Sequence, residues 1–522
     1  MKNKSILSIP MHPFILALYF PLTLFYLNIE EAAISSIGRA IVFTVAFSAL
    51  TFLVARLVSK SWGKAALFAS FVIFLFFTYG HLQNLAQNIT IGSVSIGRHR
   101  YMIPLWITLF ALGALWLRRI KAESATTTLN TIALTLVAFT TIQIAIFQVR
   151  AAQAFASAPT EVAAAPASNV ITAPGNLPDV YYIILDSYGR QDNLLKDYKL
   201  DNSEFIRQLE GMGFVVPTCA QSNYDHTVYS LTSSLSMSYL EDLGFEVFPE
   251  AKFTKTDLHP FLKHSAVRRK FEEMGYATAT FKSVYPQLDI TDTTYYYDYF
   301  LQSGDAGETE TLSFYYLFLR TTAFLPLVEY NEVNPELTGN LPAFVSTWLP
   351  TGNMLSDRNY RQYQQNVYLL DVLRNMPAVP GPKFVYAHLF TTHQPFVFTP
   401  TGAFRGIGTE DNKAYRNQVL YANTIMPAII KDILENSAVP PIIVIQGDHS
   451  YSEKEERVKI FNAYYLPDGG SKIVYPEITP VNSFRAIFNR YFGGDYELLE
   501  DITYMFADNI FTPVGASCIG DQ

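Results

Sequence analysis

The chain has 522 residues, is 49% hydrophobic and 15% aromatic, and carries a formal net charge of -8. Its length admits two or more domains, and its charged fraction of 16% falls short of the roughly 25% typical of soluble domains. The negative balance and the lack of a basic patch argue against a nucleic-acid partner.

The missing charge is concentrated at the start. Five apolar runs occupy the first 150 residues: Phe14–Ile29, Ile41–Val58, Ala65–Gly80, Tyr101–Leu117 and Leu129–Val149. Each approaches the ~20 apolar residues that cross a bilayer, the first and third being slightly short. The first is not read as a signal peptide, because further runs follow and no small-x-small site ends it. Lys2, Lys4, Arg56, Lys60, Lys64, Arg118, Arg119 and Lys121 fall in alternate loops, which are assigned to the cytoplasm. Arg98 and Arg100 on the opposite side blur that bias. An odd number of spans then places everything after Val149 outside. The expected organisation is a transmembrane domain over 1–150, an Ala/Pro-rich linker over 151–177 and an extracytoplasmic domain over 178–522. Cys219 and Cys518, the two cysteines, both fall in the exported part. They can pair in an oxidising space, and two lone thiols fit the sequence equally.

From Pro178 onward, short β-type runs alternate with amphipathic helices. Asp179–Leu185, the run "YATATF", Lys383–Leu389, Ile442–Gln446 and Asn462–Pro467 read as strands. Helices are expected over Asn202–Gly213, Ala266–Gly275, about Asn412–Glu435 and Asn482–Phe492. The alternation predicts an α/β domain with a doubly wound, mainly parallel sheet, whose ligands bind at the carboxyl ends of the strands.

Those strand ends carry the chemistry. The first strand runs into Asp186, and the strand "IIVIQ" is followed by Gly447, Asp448 and His449. Two carboxylates and an imidazole suit one divalent cation such as Zn²⁺ or Mn²⁺. Taken alone, Asp186 reads as a turn or cap residue. Thr227 opens a helical pattern continued by Leu231, Leu235 and Tyr239. A hydroxyl at a helix N-terminus lies beside free N–H groups and the positive end of the dipole, a fit place for an oxygen nucleophile and for a phosphate or sulfate oxygen. An isolated threonine there is otherwise a plain N-cap. In "YAHLFTTHQPF", His388 lies within the strand and reads as a hydrogen-bonded core residue. His393 follows it in a loop, where it can meet a substrate oxygen or protonate a leaving group. His226 is left without a role.

The ordered set of a first-strand Asp, a helix-opening Thr, a "THQPF" loop and a late "GDH" resembles the sulfatase-like branch of the alkaline phosphatase superfamily. With five spans ahead of it, the chain resembles lipoteichoic acid synthases and lipid A phosphoethanolamine transferases of the cell (inner) membrane. The resemblance implies metal ligands at Asp186, Thr227, Asp448 and His449, with Thr227 the nucleophile and His393 facing substrate. It implies a metal-dependent transfer of a phospho head group from a phosphodiester, such as a phospholipid, through a covalent threonine intermediate to an envelope acceptor. The sulfatase signature is absent, since "TVYSL" lacks its Pro and Arg. No histidine follows His449 to serve a second tightly held metal. Three rival readings remain: a phosphate or sulfate ester hydrolase using the same residues, a non-catalytic envelope assembly protein whose metal residues are splayed apart, and, last, a transporter.

Overall fold

A computed structural model describes residues 6–157, 177–303, 308–334, 348 and 352–520, apart from 31, 93, 407 and 409. The chain forms two compact units, one of Met1–Val149 with Asp305–Asn359, the other of Arg150–Gly304 with Tyr360–Gln522.

The first unit holds α1 (His12–Leu27), α2 (Gly38–Ser59), α3 (Trp62–Gln87), α4 (His99–Leu117) and the start of α5 (Ala122–Ser157). These coincide with the five apolar runs. Among the described residues four helices are long and apolar enough to cross a membrane, while α1, with 16 residues, is shorter. At 1.5 Å per residue it covers only ~24 Å of the ~30 Å hydrocarbon core. A bent pair, Thr311–Arg320 and Leu325–Asn331 at 118°, passes the same test jointly. It packs on the bundle through rings: Phe318 and Phe324 lie 6.1 Å from Phe43, and Phe324 lies 5.1 Å from Phe76. Asp305–Asn359, within the outer domain expected over 178–522, clusters with the apolar unit.

Ala151–Ser157, the first residues of the expected linker, continue α5, as alanine's high helix propensity favours. The rest of it, 158–176, lies outside the described residues.

The second unit is built on one six-stranded sheet. In chain order its elements are β1 (Val180–Leu185), α6 (Gln191–Tyr198), α7 (Ser203–Gly211), α8 (Thr227–Ser236), α9 (Lys255–Lys263), α10 (Ala266–Glu273), β2 (Ala277–Phe281), β3 (Tyr295–Tyr297), α11 (Gly352–Asn375), β4 (Lys383–Leu389), α12 (Asn412–Asn436), β5 (Ile442–Gln446), β6 (Asn462–Tyr465) and α13 (Pro480–Tyr491). A hairpin of β7 (Thr503–Ala507) and β8 (Ile510–Val514) follows. The strand order is β3-β2-β4-β1-β5-β6, parallel except for the β5–β6 pair.

Every residue of β1, β4 and β5 is buried, because helices cover both faces. Alternation in β1 splits the core in two. Val180, Tyr182 and Ile184 pack with α8, α9, α10 and α13. Tyr181, Ile183 and Leu185 pack with α6, α7, α11 and α12. The doubly wound, mainly parallel sheet expected from the alternation is the one observed. The expected strand at Asn462 is present and pairs antiparallel at an edge.

Candidate functional site at the strand ends

Three adjacent strands end together. In the register, Leu185 of β1 sits opposite Leu389 of β4, and Ile184 of β1 opposite Gln446 of β5. Asp186, His393 and the Asp448–His449 pair thus emerge from neighbouring carboxyl ends. Asp186 shares the parity of Tyr182 and Ile184, and His388 that of Phe384 and Tyr386, so both face the side of the sheet that α8 covers. The helix delivers Thr227 as its first residue.

Two backbone features hold the carboxylates. Ser187 adopts φ 66°, left-handed for a residue with a side chain. Its N–H then donates to Asp448 Oδ1 at 3.0 Å and its hydroxyl to Asp186 Oδ1 at 2.8 Å. Such a conformation costs on the order of 1–2 kcal/mol, which the two hydrogen bonds offset. Gly447 approaches the backbone so closely that a Cβ there would meet Tyr188 O at 2.2 Å. A bare α-carbon is what lets β5 run straight into Asp448.

The side chains converge. Asp186 and Asp448 are fully buried, and His388 and His449 nearly so. Asp186, His388 and Asp448 each offer a ligand atom within 4.8 Å of the others. His388 Nε2 lies 3.0 Å from Asp186 Oδ2, and His449 Nε2 lies 3.5 Å from Asp448 Oδ2. Thr227 Oγ1 is 3.2 Å from His449 Nε2. Asp448 Oδ2 is buried and has no hydrogen-bond partner among the described residues. A buried carboxylate oxygen left this way is costly, and a cation satisfies it. The donor set, two carboxylates with imidazole and hydroxyl, fits a divalent metal.

Protonation agrees with that use. Burial alone pushes the Asp186 carboxyl up, but the charge of His393, the hydrogen bond from His388 and the charges of His388 and His449 outweigh it. The group is held well below the ordinary carboxylate value. Burial lowers His449 and the Arg457 charge lowers it further, against Asp448, which raises it. Its Nδ1–H donates to Ser450 O at 2.9 Å, so Nε2 keeps its lone pair toward Thr227.

Of the four expected metal residues, Asp186 and Asp448 cluster with His388, while Thr227 and His449 meet each other and His449 Nε2 approaches Asp448 Oδ2 at 3.5 Å. His393 lies on the rim, half-buried, its Nδ1–H donating to Gln394 O at 2.6 Å and its Nε2 3.4 Å from Tyr285 Oη. Sequence reasoning missed two members. His388 is hydrogen-bonded and buried as expected, yet it is also part of the carboxylate cluster. Its parity with Tyr386 in an all-buried strand was the available signal. Arg457, in the short 3₁₀ helix Lys454–Val458 before β6, aims Nη2 at His449 Nε2 at 3.4 Å while its Nε donates to Asp225 O at 2.7 Å. Nothing in its neighbourhood of charged residues marked it. Cys219 and Cys518 are joined in a disulfide.

No family model and no curated protein matches the chain. Solved structures do. The chain is similar to the C-terminal periplasmic domain of EcEptC from Escherichia coli in complex with Zn, at 13% identity over 65% of this chain and 93% of that one, TM-score 0.39. It is similar to the integral membrane lipooligosaccharide phosphoethanolamine transferase A from Neisseria meningitidis, at 14% identity over 88% and 89%, TM-score 0.36. A third is a protein in the alkaline phosphatase superfamily from Vibrio parahaemolyticus, at 12% identity over 70% and 83%, TM-score 0.38. At such values the likeness fixes neither reaction nor substrate.

Proposed function

We propose that this chain is a membrane-anchored, metal-dependent phosphotransferase that moves a phospho head group from a phospholipid to an envelope acceptor. Asp186, Asp448, His449 and Thr227 hold one divalent cation, Zn²⁺ or Mn²⁺, on the outer, periplasmic side of the membrane. A cation so held lowers the pKa of the Thr227 hydroxyl and offsets charge on the phosphoryl oxygens.

The proposed reaction has two displacements. Thr227 Oγ1, its proton lost to water, forms a bond to phosphorus. The bond from phosphorus to the lipid alcohol breaks, and His393 gives that oxygen a proton. A second alcohol then attacks phosphorus from the outer face and its proton passes to His393, while the bond from phosphorus to Thr227 Oγ1 breaks and Thr227 takes back a proton from water. The N–H groups at the start of α8 face the equatorial oxygens. Arg457 adds a positive charge on the same side.

One observation carries this reading. A half-exposed hydroxyl at a helix N-terminus lies 3.2 Å from an imidazole nitrogen, beside two fully buried carboxylates. The test uses the full chain in detergent with a phospholipid labelled in its head group. Label on Thr227, absent from Thr227→Ala, supports it. Transfer undiminished in that variant refutes it.

A further inference from the structure

The membrane unit contains a cavity of about 990 Å³ bounded by α1, α3, the end of α4 and the start of α5. Its walls are leucine and phenylalanine, Leu16, Phe20 and Phe71 among them. It reaches the surrounding medium, since Leu27 and Trp116 on its edge are 67% and 65% exposed. A water fills about 30 Å³, so the space equals some thirty waters, far more than so apolar a wall can order.

At one end the cavity has a polar foot. His12 opens α1 and is 1% exposed. Its Nδ1 lies 2.6 Å from Ser70 Oγ. Its Nε2 is buried and has no hydrogen-bond partner among the described residues. This foot is not at the end of the bundle. Ser70 stands eight residues into α3, about 12 Å along the helix. The chain ahead of α1 is drawn in beside it, because Asn130 Nδ2 of α5 donates to Leu7 O at 2.7 Å and Ile9 O at 2.6 Å. A polar nitrogen without a partner at such depth is expensive, and in a membrane protein it marks a binding function. From Ser70 the lining stripe on α3 runs through Phe71, Phe74 and Thr78 to His81. Those eleven steps rise about 16 Å, close to the ~15 Å of one hydrocarbon leaflet.

We propose that this cavity binds a neutral diacylglycerol lipid, with its acyl chains along α3 and its glycerol end on His12. A diacylglycerol presents one hydroxyl and two ester carbonyls. It therefore serves Nε2 in either tautomer, as donor when Nδ1–H holds Ser70 and as acceptor when Nε2 carries the proton. It brings no charge to His12 and Ser70, and the one lysine of the lining, Lys121, belongs to the turn before α5 rather than to this pair. The binding is independent of the catalytic reading, and its test does not measure turnover.

The test is photo-crosslinking of the full chain in nanodiscs with a diacylglycerol bearing a diazirine in one chain, mapped by peptide mass spectrometry. Label is expected on lining residues of α1, α3 and α5, competed by unlabelled diacylglycerol. His12→Ala should lower the labelling about five- to tenfold, the worth of one hydrogen bond. Leu129→Trp, which fills the lining, should abolish it, and retained helicity shows that both variants fold. In the unmodified chain, label spread over the outer faces of the helices overturns the proposal, even where a variant fails to fold. So does label that neither folded variant diminishes. A matched phosphatidylethanolamine probe that labels the same peptides more strongly assigns the cavity to a phospholipid and overturns it too.

Discussion

Replacing Asp448 with Asn separates a metal site from a structural ion cluster, because the two predict opposite signs. Asp448 is fully buried. Its Oδ1 accepts the Ser187 N–H at 3.0 Å, a bond that asparagine keeps. Its Oδ2 has no hydrogen-bond partner among the described residues and lies 3.5 Å from His449 Nε2. Asparagine puts an N–H donor there, facing a lone pair. In chelator the variant therefore loses an uncompensated buried charge, a change worth about 1–3 kcal/mol in favour of the fold. With metal the sign reverses. Zinc at one hundred times its Kd stabilises the parent by about 2.7 kcal/mol. Loss of a charged ligand weakens binding by about a hundredfold or more, so the same zinc gives the variant only ~0.4 kcal/mol. Amide hydrogen exchange of β1 and β5 in the full chain reads both effects. The expected pattern is slower exchange than parent in chelator and almost no added protection by zinc. Faster exchange in chelator together with full zinc protection would refute the assignment.

Arg457→Gln removes a guanidinium 3.4 Å from His449 Nε2, so zinc affinity should rise about tenfold while KM for an anionic phosphodiester rises by a similar factor. Titration with zinc and steady-state kinetics check the two halves. Gly447→Ala drives a Cβ to 2.2 Å from Tyr188 O, and the backbone shift should cost about 1–3 kcal/mol and reduce bound zinc, measured by exchange of β5 amides and by metal content. His259 of α9 is 4% exposed, and burial lowers its pKa from 6.5 to about 4. The unfolded chain takes up this proton first as pH falls, so the stability is complete above pH 6.5 and is lost between there and pH 4. Between pH 7 and 5 the loss is about 2 kcal/mol, visible as faster α9 exchange that His259→Phe flattens.

The sheet was legible because buried parallel strands advertise themselves. "VYYIIL" and "IIVIQ" are apolar on both faces, and each meets a polar group at its carboxyl end. That juxtaposition, a hydroxyl opening a helix and the family resemblance together pointed to four residues from three remote segments as one expected site. The pairing of strands was not legible, and with it the meeting of His388 and Asp186, since neighbours in a parallel sheet are set by tertiary contacts between segments 202 residues apart. The helices of 308–333 were missed for a different reason. Each is too short to register as a span, and only the bend at 321–324 lets the pair act as one. The β7–β8 hairpin did leave a signal. Asp508 and Asn509 have φ of 51° and 63°, the pair of positive values that a two-residue turn requires and that Asp and Asn tolerate.

The distribution of rigidity over the site follows from the same geometry. Asp186, His388, Asp448 and His449 are buried at or just beyond the ends of three paired strands, held by backbone groups, by one another and by the Ser187 hydroxyl. Thr227, His393 and Arg457 are half-buried and belong to a helix start, a loop and a short 3₁₀ helix. A metal needs its ligands fixed to a few tenths of an ångström, and strand ends in a core supply that. A phosphoryl group that arrives on one alcohol and leaves on another needs access from the outer side, and loops at a rim supply that. The carboxylates therefore lie deepest, where a cation neutralises them, and the groups that meet changing partners lie outermost. Arg457 stands between the two sets. Its Nε is tied to Asp225 O at 2.7 Å while Nη2 reaches the His449 lone pair. In the proposed site that lone pair would also serve the cation, and Nη2 would then be free to meet a phosphoryl oxygen of the substrate.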